Sequence, residues 1–214
     1  MTDGIAWLAE PQSIAYGGYS VVIAPDLESE SLARRIVETA RRPYRPRPIG
    51  ELTGRQVHDL LEGLYDDVFQ GLALRHGELD EWSYVIKYGG WQGEFGHGGR
   101  PVDRGGLHVY HLEYDEENGR PVPPRFAYRH DDNLVCEFNL YLDGSWAHGS
   151  PQGDPAVSSA VRERLTAAGL PDGDLDRRAV HRASLKILEE HFGLTLPRRP
   201  ILEGTLPTLL LTEE

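Results

Sequence analysis

The sequence predicts an α+β fold, a mostly antiparallel sheet of five or six strands built from hairpins with helices packed against it. Three observations carry this. Residues 82–88 (WSYVIKY) alternate with period two, setting Trp82, Tyr84, Ile86 and Tyr88 on one face and Ser83, Val85 and Lys87 on the other. Residues 125–130 (RFAYRH) and 134–141 (LVCEFNLY) are two strand-like runs joined by Asp131, Asp132 and Asn133, a hairpin pattern. Apolar residues at helical spacing gather toward the two ends of the chain, and the strands between them follow one another as hairpins.

Taken in order, residues 4–10 (GIAWLAE) predict a short helix anchored by Trp7 and Leu8. Tyr19 to Ala24 predicts a first strand, after the turn-making Gly17 and Gly18 and before Pro25 and Asp26. Leu32, Ile36 and Val37 predict a helix from Ser29 to Arg42, with Ser29 or Ser31 as its cap. The three prolines of 43–50 (PYRPRPIG) read as a stiff surface crossover. Thr53 to Asp67 predicts a second helix: Val57, Leu60, Leu61, Leu64 and Val68 form its stripe, and Thr53 with Gln56 forms a capping box. His58 and Asp59 stand beside that stripe as a solvated or rim pair. Val68 to His76 predicts a strand paired with Trp82–Tyr88, and Leu107 to Tyr114 another, followed by the turn signal Asn118-Gly119. Asp154 and Pro155 open a helix that runs to about Ala168, and a second runs from about Leu175 to Phe192, stopped by Gly193. The proline-punctuated tail after it is apolar enough to pack back on a single domain spanning 1–214.

Composition removes several function classes. A chain of 214 residues buries roughly 70% of its unfolded surface as one body and needs no staples. Its single cysteine, Cys136, excludes an intramolecular disulfide and a cysteine zinc cage, and its strand context reads as a small buried thiol. The net charge of −12 argues against nucleic acid, whose phosphates demand cations, and favours basic partners. Of the 22 basic residues only Lys87 and Lys186 are lysines, a skew expected of a GC-rich genome. MTDGIAWLAEPQ has neither a basic nor an apolar signal region, and no apolar run approaches ~20 residues, so the expectation is a soluble cytoplasmic protein without a membrane span.

Two loops draw attention. Eight glycines fall between positions 89 and 106, interleaved with Trp91, Glu94, Phe95 and His97; a second loop, 143–154, carries Trp146 and His148. Both leave strands, so the two are expected to meet at one edge of the sheet, where loop aromatics suit an interface. Other chemistry is poorly matched. No G-x-S-x-G elbow, phosphate-binding loop or H-E-x-x-H motif is present, and Ser150 lies too close in sequence to His148 for a serine–base pair. His108 and His111, three apart on a strand, point to opposite faces, and His130 with Asp131 and Asp132 reads as an ordinary turn. Carboxylate pairs such as Glu94 with Glu137 or Asp143 depend on geometry that spacing does not supply.

The motifs in order are a tryptophan near the N-terminus, YSVVIAPDL before a helix, WSYVIKYGGWQG, FAYRHDDNLVCEFN, SWAHGSP ahead of a helix, and GLTLPRRPIL after another. Over residues 1–210 this series resembles a bacterial domain-of-unknown-function family found mainly in high-GC soil bacteria, with 96–106 and 115–124 longer than the family pattern. The resemblance implies a single domain and brings no catalytic residue. The expectation is therefore a non-enzymatic interaction module, of the kind that serves as an immunity or defence-system component, binding a basic protein partner through Trp91, Phe95, His97, Trp146 and His148, with no cofactor and no metal. The alternative is a hydrolase-type enzyme using Glu94, His97 and His148 between loops 89–106 and 143–154.

Overall fold

The structure is a computed structural model describing residues 3–14, 18–40, 42–65, 71–90, 102–115, 122–144, 148–171 and 176–213. Among the described residues nine strands form one sheet, and every pairing in it is antiparallel: β1 (Gly18–Pro25), β2 (Tyr44–Leu52), β3 (Leu72–Leu79), β4 (Trp82–Gly89), β5 (His108–Asp115), β6 (Arg125–His130), β7 (Asn133–Asn139), β8 (Gln152–Gly153) and β9 (Leu206–Glu213). Their order is β2-β9-β3-β4-β1-β5-β6-β7-β8. Helices are α1 (Ser29–Glu38), α2 (Gly54–Leu64), α3 (Pro155–Ala167), α4 (Arg177–Phe192) and α5 (Arg198–Leu202). The α+β class holds, with nine strands rather than five or six. None of the described helices is long and apolar enough to cross a membrane.

The period-two pattern sorts side chains as expected. Tyr84, Ile86 and Tyr88 join Tyr19, Val21, Ile23, Phe126 and Phe138 in a core closed by α2, α3, α4 and α5, and Trp82 packs half-buried at its margin. Val85 faces the other way, joining Val22, Leu72, Leu74 and Leu211 under Leu32, Ala33, Ile36 and Val37 of α1. Cys136 is buried within β7, and burial pushes its thiol up to about 12, which leaves it inert.

The local signals mostly work. Thr53 Oγ1 accepts from Gln56 N at 3.2 Å, and Gln56 Oε1 accepts from Thr53 N at 2.8 Å, so the capping box is complete. Asp154 caps α3 by accepting from Ala156 N and Val157 N, and Gly193 ends α4 at φ 70°. The β6–β7 hairpin turns through Asp131 and Asp132, both at positive φ, with Asn133 Nδ2 donating to Asp131 O at 2.8 Å.

Four expectations are corrected. The stretch 43–50 is an edge strand, β2, not a crossover; an edge tolerates proline on its unpaired side, and a bulge at 48–51, with Gly50 at φ 94°, absorbs the irregularity. The tail supplies β9, an interior strand between β2 and β3, and not merely a packed extension. α1 stops at Glu38 and uses neither serine as a cap: Ser29 N donates to Glu78 Oε1 at 2.8 Å, and Ser29 Oγ lies 3.0 Å from His76 Nδ1. Residues 4–10 form only a single 3-10 turn, Ala6–Ala9, held from outside because Glu189 Oε2 accepts from Ile5 N at 2.8 Å. A Cβ at Gly4 would sit 1.7 Å from Glu189 Oε2, so a larger residue there would displace that carboxylate from Ile5 N.

One buried cation ties β2, β3, β4 and α5 together. Arg75 is 0% exposed and donates to Leu52 O, Tyr88 Oη, Ile201 O and Gly204 O at 2.7–2.9 Å. It has no carboxylate partner among the described residues. Carbonyl dipoles from the end of β2 and the last turn of α5 replace its hydration.

Candidate functional site

The loop that begins at Gly89 leaves the sheet two residues after Lys87. Lys87 lies on the α1 side of the sheet, and from it a line of charges crosses to the far strands. Lys87 Nζ is 3.4 Å from Glu113 Oε1, and both side chains are less than a tenth exposed. Glu113 stands opposite Arg125 in the β5–β6 register. Arg125 Nη2 donates to Glu137 Oε2 on β7, and Glu137 Oε1 lies 3.6 Å from His148 Nε2. Lys87, Glu113, Arg125, Glu137 and His148 thus run from the root of one glycine-rich loop to a residue of the other. Alternating sign offsets part of the desolvation of each charge, yet an apolar row would serve stability as well. Charge concentrated where stability does not need it is a marker of function.

His148 is positioned by backbone. Its own φ is 69°, and its carbonyl accepts from Asn139 N at 2.8 Å. Asn139 Nδ2 meanwhile donates to Asp143 O at 2.9 Å, clamping the turn from inside. The imidazole directs Nε2 at Glu137, while Nδ1 is buried with no hydrogen-bond partner among the described residues. The residue types are those of a base and its orienting carboxylate, at an ion-pair distance and not a hydrogen-bond distance. A nucleophile is missing from it: no described serine, threonine or cysteine contacts His148.

A second feature lies at the end of the sheet where β1 runs out and β3 turns into β4. Asp26, Glu28, Glu30, Glu78, Asp80 and Glu81 are all exposed there. Five of these carboxylates, all but Glu30, line a depression of about 280 Å³ together with Leu27 and Ser83. Glu30 pairs with Arg34 at 3.1 Å, and Glu78 accepts from Ser29 N. Asp26, Glu28, Asp80 and Glu81 form no ion pair with any described residue.

A third feature lines a cavity of about 310 Å³ with Tyr114, Tyr141, Arg177 and His181. Tyr19 Oη is 2.7 Å from His181 Nε2. Burial, aided by Arg178, pulls His181 down to about 3, and burial raises Tyr19 well above its ordinary value. Both are therefore neutral at pH 7, and the tautomer of His181 decides which of the two donates. Arg177 lies 5.3 Å over the Tyr141 ring and pairs with Asp143 at 3.1 Å.

Of the predicted binding and catalytic residues, Trp91, Glu94, Phe95, His97 and Trp146 lie outside the described residues, and His148 alone is placed. Sequence reading missed Lys87, Glu113, Arg125 and Glu137 as a group, because each looks like an ordinary polar position of an alternating strand. His181 left a usable signal: it falls in the α4 stripe with Ser184, Leu185 and Leu188, where a histidine is buried. His58, Asp59 and Glu62 bring three ligand-type atoms within 4.8 Å of one another on the solvent side of α2. No family model, no curated protein and no solved structure matches the chain.

Proposed function

We propose that the chain is a non-enzymatic interaction module, acting in the cytoplasm, that binds a basic protein partner in the manner of an immunity or defence-system component. The observation that supports this reading is the carboxylate-rich end of the sheet, where Asp26, Glu28, Asp80 and Glu81 carry charge that no described side chain neutralises. Together with a net charge of −12, it favours lysine- and arginine-rich surfaces and repels nucleic acid. The resemblance to a bacterial domain family adds an expected setting but no chemistry. Capture from the native host followed by charge reversal tests it. The triple variant Asp26→Lys, Asp80→Lys, Glu81→Lys is expected to lose at least about tenfold in association rate, and binding should weaken with added salt. A partner retained at unchanged rate by that variant would remove the acidic end from the interface.

His148 against Glu137 favours a second reading, a hydrolase-type enzyme between loops 89–106 and 143–154. Here His148 serves as general base, Glu137 orients it and Arg125 steadies Glu137. A screen of ester, amide, phosphate and glycoside substrates decides between the two readings: turnover that falls about 10²- to 10⁴-fold in His148→Ala supports the enzyme. Turnover untouched by that substitution speaks against it.

A further inference from the structure

Histidine spacing along one strand points to no metal site, but the register between strands creates a pair that spacing does not reveal. His108 of β5 stands directly opposite His130 of β6, and their ring centroids are 3.9 Å apart. Both side chains are half-buried at the end of the sheet. His108 Nδ1 lies 2.8 Å from Tyr128 Oη, and Tyr128 is hydrogen-bonded in turn to Tyr110. His130 Nδ1 is buried without a hydrogen-bond partner among the described residues. The Nε2 atoms of both rings are left with no hydrogen-bond partner among the described residues.

We propose that His108 and His130 form a two-imidazole site for a divalent transition ion of the Zn²⁺, Ni²⁺ or Cu²⁺ class. Neutral imidazole suits these ions, whereas Ca²⁺ and Mg²⁺ demand oxygen. Directly opposed strand positions hold Cβ atoms about 4.5–5.5 Å apart, which lets two rings converge on one ion at metal–nitrogen distances of about 2.0–2.1 Å. In the tautomer in which His108 donates from Nδ1 to Tyr128 Oη, the lone pair lies on Nε2, so Tyr128 is a positioning residue for the ligand. An ion held by two imidazoles keeps further positions for water. The site stands independently of the proposed partner.

Calorimetric titration of the full chain with NiCl₂ alone is expected to show one saturable site. Its affinity should fall at least about tenfold in His108→Gln and in His130→Gln, and about 10- to 100-fold in Tyr128→Phe, which preserves the ring. His58→Gln serves as the control for the α2 cluster and should leave the affinity unchanged. A Cu²⁺-loaded wild-type sample should show two nitrogen couplings by electron paramagnetic resonance, a readout that depends on no variant. No binding by the wild type, fewer than two nitrogen couplings, unchanged affinity in the His108→Gln/His130→Gln double variant, or loss confined to His58→Gln would each overturn the proposal.

Discussion

The two faces of the sheet are built from the same strands, one residue out of phase, and they bury charge on different terms. On the face closed by α2 to α5, Arg75 is the fully buried cation, and its partners are three backbone carbonyls and a tyrosine hydroxyl. Those carbonyls exist wherever the chain runs, so no second substitution removes the need for the guanidinium. On the α1 face, Lys87, Arg125 and His148 are matched by side-chain carboxylates, each replaceable together with its partner. The first arrangement is architecture. The second is optional for folding, which is why its presence calls for a functional reason.

The largest expected effect breaks the architectural side of this contrast. Arg75→Ala should cost on the order of 5 kcal/mol, combining a cavity with several stranded acceptors, measured by urea unfolding. A loss below about 1 kcal/mol would mean that water reaches the site. Next comes acid sensitivity of the same face. His181 titrates at its ordinary 6.5 in the unfolded chain and near about 3 when folded. The unfolded chain therefore binds the extra proton between those values, so the stability gained by keeping it neutral is complete above pH 6.5. That stability is lost as pH falls toward 3, roughly 5 kcal/mol in all. Melting curves across this range should be flatter in His181→Leu than in the wild type.

A smaller effect addresses the other face. Lys87→Met alone takes one buried cation away from Glu113 and should cost about 3 kcal/mol, while Lys87→Met with Glu113→Leu should return close to wild-type stability. If the double variant stays as unstable as the single, the charged row is architecture too and the contrast collapses. The smallest concerns neither face: Thr53→Ala, which opens the α2 capping box, should cost about 1 kcal/mol. That sets the scale of a purely local interaction against which the other three are judged.

How much was legible follows the range of each interaction. The alternation of 82–88 correctly assigned the two faces because a strand's period is a property of consecutive residues. Asp154 with Pro155, and Gly193, marked the limits of α3 and α4 for the same reason. Ser29 misled: its hydroxyl has the chemistry of a cap, but His76 engages that hydroxyl and Glu78 accepts from its backbone N–H, both nearly fifty residues away. Prolines 46 and 48 misled in the opposite direction, since their tolerance in β2 depends on its being an edge strand, a fact about the assembled sheet. Among the site residues, only His148 was both singled out from sequence and placed by the structure, and its relation to Glu137 was not visible in either loop alone.

The sequence by itself determined the class of the fold, the helices α1 to α4 with the caps of α2 and α3, the local hairpins and the acidic character, all of which depend on neighbours within a turn or two. Only the tertiary structure decided that β9 enters the sheet's interior, that Lys87 through His148 form one row, and that His108 faces His130. Those outcomes rest on register between segments far apart in the chain. Register is set by the burial of both faces of the whole sheet at once, so no single stretch of residues contains it.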